Sequence, residues 1–350
     1  MILIFFQNCV SPHQVPYIKE LSINPNIEDI FLVVPRYDYK ERQNMGWDNK
    51  KLISNTAIKL IYKPSKDIVQ QLLGTNKNAF YFFSGIRADK DVFEWFKESL
   101  NYPVKRYIIT EPPFTFNKPL WMHYIRFFLQ DYKFVKDIHG VFAIGEDAVK
   151  YYKNISKQWK VFPFQYVTEH KERTKGATKG NLKLLFVGNL CTRKNVKIVI
   201  EALKGVNNLE FTIVGNGKEK TNLEKLAQKY KIPVSFLGAK DMKEIPSIMQ
   251  ENDVLILPSL HDGWGAVVNE AMDLGLYVIV SNRCGARTMI DKGITGEVFM
   301  SNNIKSLRGS IAHCLEIKDD IRRRIKDNIK SFDKFRGKSV AKYFINCIEK

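Results

Sequence analysis

The chain has 350 residues, 45% of them hydrophobic, with 55 Lys and Arg against 37 Asp and Glu for a formal net charge of +18. That length suits about two ordinary globular domains, each with its own core, and no apolar run approaches the roughly 20 residues a helix needs to cross a bilayer. So large a positive surplus favours an anionic partner, with nucleic acid, anionic lipid and nucleotide diphosphates all qualifying, unless the Lys-rich surface serves only solubility.

The opening, MILIFFQN, has neither a basic leader nor a long apolar region and reads as a first core strand instead of a signal peptide. Five scattered cysteines, Cys9, Cys191, Cys284, Cys314 and Cys347, at no zinc-binding spacing, suit free thiols in a reducing, cytoplasmic compartment. From 1 to 165, apolar runs at 2–6, 30–34, 57–62, 79–83, 104–109, 140–144 and 160–162 alternate with helix-like segments, the pattern of a doubly wound parallel sheet. Ligands bind outside the carboxyl ends of such strands. That singles out His13 in the loop QNCVSPHQVP, Ser84, Gly85 and Arg87 after the fourth run, and Glu111 after the fifth, ahead of a stiffening Pro pair. His13 can hydrogen-bond an acceptor or a leaving phosphate, or can merely cap or pack. Glu111 can face a sugar, or can be a buried, paired or solvated acid.

Positions 119–136, PLWMHYIRFFLQDYKFVK, repeat Trp121, Tyr124, Ile125, Phe128, Leu129 and Tyr132 at helical spacing, with Arg126, Lys133 and Lys136 able to flank the apolar face. A core helix of the first domain is the favoured reading; a helix docked on an anionic membrane is the other. Residues 166–181, polar, charged and glycine-containing, read as an exposed interdomain linker.

A second alternation occupies 182–336. A strand at 182–187 leads into GNLCTRKN and a helix over 195–203; LEFTIV leads into Gly215-x-Gly217 and another helix, a pattern that any tight strand-to-helix turn can use. A buried strand at 253–258 precedes a loop with Gly263 and Gly265, then helical spacing through Val267, Val268, Ala271 and Met272, a stop at Gly275 and a strand at 277–280. The loop therefore opens at a helix N-terminus, whose N–H groups and dipole favour an anion. Asp262 stands in that loop and Glu270, eight positions later, about one turn inside the helix, so one acid can meet each end of an elongated ligand. The basic stretch 304–331 reads as helix with a solvated face.

The Asp262-x7-Glu270 pair, with Leu190 and Lys194 in GNLCTRKN and Gly285 in SNRCGARTMI, resembles the retaining glycosyltransferases of family 4, which have the GT-B fold. The resemblance covers 182–300 well and the first domain only by strand order. It implies an α/β chain of two Rossmann-like doubly wound domains facing across a cleft: an acceptor-side domain at 1–165, the linker at 166–181, a nucleotide-sugar-binding domain at 182–336, and a last helix, 337–350, packing back on the first domain. It implies that Arg193 and Lys194 hold the donor diphosphate, Glu270 the ribose, and Asp262 the sugar, with Gly188, Asn189, Gly215, Gly238, Lys240, Gly263, Trp264 and Gly265 lining the nucleotide-sugar. His13, Ser84 and Glu111 then belong to the acceptor or sugar side. Asp262 stands where the family usually has Glu, Asn189 where it has Arg, Glu111 where it often has His, and Cys284 and Thr288 where it has Gly and Glu. Cys284 reads as a small packing residue, since no His or acid pairs with it as it would with a nucleophile.

The expected activity is metal-independent transfer of a sugar from a UDP- or GDP-sugar to an acceptor hydroxyl, with retention, in cell-surface polysaccharide or lipid-linked glycan synthesis. No cofactor is expected besides the donor. The expected partners are that donor, a glycan or lipid-linked acceptor and the inner face of an anionic membrane. A sugar-nucleotide epimerase or hydrolase of the same architecture is the first alternative, with His13 and Glu111 as its visible acid and base. A basic binder of anionic surfaces or nucleic acid is the second, without a nucleic-acid motif to support it.

Overall fold

Apolar runs too short for helices become parallel strands when helices cover both faces of the sheet. The computed structural model describes residues 1–39, 49–75 and 78–349. The chain divides into two units, Met1–Glu169 with Phe335–Lys350, and His170–Lys334.

In the first unit, β1 (Ile2–Phe6), β2 (Asp29–Val34), β3 (Ile58–Tyr62), β4 (Phe80–Ser84), β5 (Lys105–Thr110), β6 (Gly140–Ile144) and β7 (Lys160–Phe164) form a seven-stranded sheet in the order β3-β2-β1-β4-β5-β6-β7. Every pairing is parallel. Successive side chains alternate between faces. Phe6 and Phe83 stack at 5.0 Å on one face, within an apolar cluster that includes Tyr81, Phe96, Phe127 and Phe134. Phe5 and Phe82 stack at 4.8 Å on the other.

That second face is closed by the far end of the chain. The helix Gly337–Ile348 packs on the helix Val15–Ser22 and puts Phe344, fully buried, 4.6 Å from the Phe142 ring, 4.8 Å from Phe82 and 5.6 Å from Tyr17. Residue 350, included in the helix expected from sequence, lies outside the described residues.

The helix Leu120–Gln130 corrects the core-helix expectation. Only Phe127 of the helix is buried, whereas Trp121, Met122, Ile125, Phe128 and Leu129 are exposed, as is Tyr132 in the following 3₁₀ turn. Periodicity had identified an apolar stripe, but the side facing the sheet is the narrower one, carrying Tyr124 and Phe127.

In the second unit, β8 (Leu182–Val187), β9 (Leu209–Val214), β10 (Val234–Gly238), β11 (Val254–Leu257), β12 (Tyr277–Ser281) and β13 (Gly296–Phe299) pair in the order β10-β9-β8-β11-β12-β13, again parallel throughout. The central β11 and β12 are buried at every position.

The stretch read as a linker is solvent-exposed along most of its length, yet from residue 170 onward it is fastened to this unit. His170 Nδ1 lies 2.9 Å from Asp273 Oδ2, which also accepts the Lys171 N–H at 2.8 Å; the Gln250 amide oxygen accepts the N–H groups of Thr174 and Lys175 at 2.6 and 2.9 Å. Composition signals solvent contact there, but not that the strap's donors match acceptors at the base of the sheet.

Truncating Phe344 to Ala should lower stability by about 3–5 kcal/mol, because the aromatic cavity has no neighbour able to refill it. Urea unfolding checks this; an unchanged midpoint would show that the last helix contributes nothing to the first unit's core.

Candidate active site

The chain lays down β8, β9 and β10 outward on one side of the second sheet, then returns to place β11 against the other edge of β8. At such a reversal, the loops leaving neighbouring carboxyl ends run to opposite sides and open a crevice. Those loops, 188–195 and 258–266, are the ones that carry Arg193, Lys194 and Asp262.

The geometry brings these three together. Lys194 Nζ donates to Asp262 Oδ2 at 2.6 Å; Arg193 Nη1 donates to the His261 carbonyl at 2.7 Å and stands 3.9 Å from Asp262 Oδ2. The Ser259 hydroxyl lies 3.4 Å from the same carboxylate oxygen. The Lys194 and Asp262 side chains are each only 13% exposed. Removing one would leave the other charge largely desolvated, the situation in which a broken ion pair costs most.

Two glycines make the approach possible. The Leu190 N–H donates to the Asn216 carbonyl at 2.8 Å, so the loop after β9 lies directly on the loop after β8. A Cβ on Gly215 would fall 1.9 Å from the Gly188 carbonyl oxygen, and one on Gly217 would fall 2.2 Å from that of Leu190. The Gly-x-Gly is therefore a backbone crossing, which supports Gly188 and Asn189 from behind. Leu190 is completely buried and anchors the loop.

From the other side, the Asp262 loop is zipped to the loop after β12. Asp262 N–H donates to Arg283, Gly285 N–H to Asp262, and Ala286 N–H to Trp264, at 2.9, 3.1 and 2.8 Å. Cys284 Sγ donates to the Trp264 carbonyl at 2.9 Å. Burial, with Asp262 adding repulsion, pushes its thiol up to about 12, so Cys284 packs and supplies no thiolate at neutral pH. Trp264, grouped from sequence with the nucleotide-sugar contacts, has its side chain in the interior. It is 2% exposed, and its indole Nε1 donates to Asn269 Oδ1 at 2.7 Å. The indole is thus a structural pin for the loop and offers a ligand no ring surface.

Glu270 sits in the first turn of the helix Val267–Asp273 and is partly exposed. Its helix mates Asn269 and Asp273 are engaged inside the unit, by Trp264 and by His170 with Lys171 N–H. Desolvation raises the Glu270 carboxyl to about 7, against the opposing pull of Lys171. Among the described residues no donor to this carboxyl contributes to the shift, which leaves it able to accept hydrogen bonds from a ligand. Lys171 is a neighbour that the motif did not reveal, because it comes from the strap far upstream. Gly238 ends β10; Lys240 beyond it pairs with Glu244 at 3.3 Å across one helical turn's spacing.

The first sheet reverses in the same way between β1 and β4. Ser84 Oγ, at the end of β4, accepts the Asn8 N–H at 3.2 Å and so ties the two switch-point loops. The His13 ring packs 5.4 Å from that of Tyr166, whose hydroxyl donates to Glu111 Oε1 at 2.6 Å. His13 and Glu111, far apart in sequence, are thus joined through Tyr166, which no motif had marked. Arg87 is committed elsewhere, paired with Asp131 and stacked 4.1 Å over Phe93.

Residues 167–332 match the family model of glycosyl transferases group 1. Among similar proteins are two uncharacterized glycosyltransferases of Methanocaldococcus jannaschii. One is 29% identical over 43% of this chain and 42% of its own length, the other 26% identical over 60% and 56%. The matched portions thus amount to about half the length of these relatives. An Escherichia coli UDP-Gal:alpha-D-GlcNAc-diphosphoundecaprenol alpha-1,3-galactosyltransferase is 31% identical over 42% of this chain and 40% of its own. Over the whole chain, the fold is that of Anabaena HepE solved with UDP, at a TM-score of 0.71, 12% identity and complete coverage of both chains. It is also that of the lipopolysaccharide outer core galactosyltransferase WaaB, at 0.67, 17% identity and coverage of 100% and 99%. The architecture is GT-B, with two Rossmann-like domains, and the part of the chain from 167 to 332 is similar to glycosyl transferases group 1.

The zipper between the two loops leaves no room for a side chain at Gly285, where a Cβ would lie 2.1 Å from the Gly263 carbonyl oxygen. Gly285→Ala should therefore cost about 1–3 kcal/mol as strain, seen as a lower melting temperature. An unaltered melting temperature would mean that the loops separate freely.

Proposed function

We propose that the protein is a retaining glycosyltransferase that moves a sugar from a nucleotide-sugar, a UDP-sugar in the first instance, to an acceptor hydroxyl in polysaccharide or lipid-linked glycan synthesis. The observation that carries this reading is the convergence of Arg193, Lys194 and Asp262 at the β8/β11 switch point, with Glu270 on the helix that follows. Support for the donor comes from HepE, solved with UDP and with UDP-glucose. Support for the acceptor class comes from relatives named for O-antigen biosynthesis and for a diphosphoundecaprenol-linked sugar.

In this mechanism the bond between the anomeric carbon and the diphosphate oxygen breaks while the acceptor oxygen bonds to the same face. The acceptor's proton passes to the departing phosphate oxygen, and a nucleoside diphosphate leaves. Negative charge grows on that diphosphate as the bond breaks, so fixed cations help the transition state more than the ground state. Lys194 and Arg193 fill that role. Asp262, held by Lys194, accepts hydrogen bonds from the sugar hydroxyls, and Glu270 accepts them from the ribose. With two side-chain cations on the diphosphate, no metal ion is required.

Two experiments test the assignment. Nucleotide-sugars should raise the melting temperature of the wild type and not of Glu270→Ala, while Lys194→Ala should lower kcat by about 10²–10³-fold, with activity unaffected by a chelator. Failure of every nucleotide-sugar to bind would sink the reading, and release of free sugar or an epimer without any acceptor would replace it with the hydrolase or epimerase.

The second experiment uses the raised Glu270 carboxyl. Ribose hydroxyls donate to the ionised form, so below about 7 binding must first expel a proton. Affinity for a UDP-sugar should then rise with pH, by up to about tenfold per unit, and level off above about 7. Calorimetry across this range should find the slope abolished in Glu270→Gln; a slope retained in that variant would assign the proton to another group.

A further inference from the structure

The surface formed by the helix Leu120–Gln130 and the turn after it is not used by the proposed reaction. Trp121, Ile125, Phe128, Leu129 and Tyr132 recur at spacings of three and four, so they share one side of the helix, and all are exposed, Leu129 to 81% and Trp121 to 61%. Phe114, in the segment leading to the helix, is exposed as well. Soluble proteins rarely leave so many neighbouring large apolar side chains in water without a partner for them.

The fully exposed charges beside the stripe are of one sign. Lys118, Arg126, Lys133 and Lys136 are exposed. Lys118 and Arg126 are close enough to His123, in the same helix, to depress its basicity further beyond the effect of burial. Of the two acids in this stretch, Asp131 is buried and neutralised by Arg87, and Asp137, at the end of the turn, is half-buried. The helix has no acid in its first turn.

We propose that this face docks the protein on the surface of an anionic bilayer, with the helix lying in the interface plane. Trp121, Ile125, Phe128 and Leu129 enter the boundary between headgroups and acyl chains, Tyr132 sits at headgroup level, and Arg126, Lys133 and Lys136 meet lipid phosphates. An aromatic and aliphatic face edged by lysine and arginine fits such an interface on both counts, apolar burial and charge. A second copy of the chain fits poorly. A two-fold contact through the stripe would bring the Arg126, Lys133 and Lys136 rims near one another, like charge against like. The helix follows the loop that leaves β5 with Glu111, so docking would hold the carboxyl-end loops of the first unit near the membrane, where a lipid-linked acceptor resides.

The test is vesicle co-sedimentation of the full chain with phosphatidylcholine alone and with phosphatidylcholine mixed with phosphatidylglycerol. Wild type should bind the mixed vesicles, bind them less as salt is raised, and bind neutral vesicles weakly. The double substitution Trp121→Ser with Leu129→Ser should reduce binding about tenfold or more, and Arg126→Glu with Lys133→Glu should remove the preference for anionic lipid. All four side chains are exposed, so the variants should unfold at the wild-type midpoint. Their response to nucleotide-sugars should be unchanged, which separates failure here from failure of the glycosyltransferase reading. The tryptophan emission of wild type should shift to the blue on mixed vesicles and that of Trp121→Phe should not. Equal binding to neutral and anionic vesicles, full binding by the serine variant, or self-association lost in that variant without any vesicle binding would each overturn the proposal.

Discussion

An ammonium and a carboxylate, each largely withdrawn from water, hold together two loops at the carboxyl end of the second unit's sheet. Lys194 and Asp262 belong to loops on strands that are neighbours in space and distant in sequence, and they meet at 2.6 Å only if those strands stand at the right height. The pairing of Val254 with Leu184 and of Leu255 with Leu185 sets that height. A slip of one residue would exchange the two packed faces of β11 and pull the charges apart. Register, loop length and the bare backbones of Gly215, Gly217 and Gly285 thus serve one requirement: two charged side chains must arrive at one point from different strands.

Both sheets obey the same topological rule, and both put polar groups beyond the carboxyl ends of their strands. In the second unit these groups are fixed ions, followed on the next helix by Glu270, whose carboxyl is raised by desolvation. In the first they are neutral or singly charged groups linked by aromatic contact: His13 on Tyr166, and Tyr166 on Glu111. Under the proposed reaction, the strong fields act on a charged leaving group and the weaker, orientable contacts on a hydroxyl-bearing acceptor.

Strands covered on both faces were the most legible part of the sequence, because short unbroken apolar runs such as VLIL and YVIV suit a buried parallel strand; β6, β11 and β12 are buried throughout. The last strand, β13, was hidden. Its Glu297 is a buried acid satisfied by Tyr277 and His313, so the apolar signal is broken where the partner residues restore it. The inward turn of the Trp264 side chain was hidden for a related reason: glycines on both sides suggest an open loop, yet the indole folds inward onto Asn269. The helix at 120–130 shows a different limit, since periodicity reports that a helix has an apolar side and not what that side faces. Tyr166 could not be found, as contact with His13 and Glu111 exists only once β5, β7 and the first loop are assembled.

The position of Phe344 bears on the order in which the protein is made. The second unit is one uninterrupted segment, whereas the first is split, and the aromatic layer beneath its sheet stays open until the helix Gly337–Ile348 arrives. During vectorial synthesis, residues 170–334 can therefore complete their core while the earlier-made sheet waits with Phe5, Phe82 and Phe142 unsealed. Domains ordinarily mature from the N-terminus forward; here the first unit's core is sealed only after the second unit's whole segment has been made.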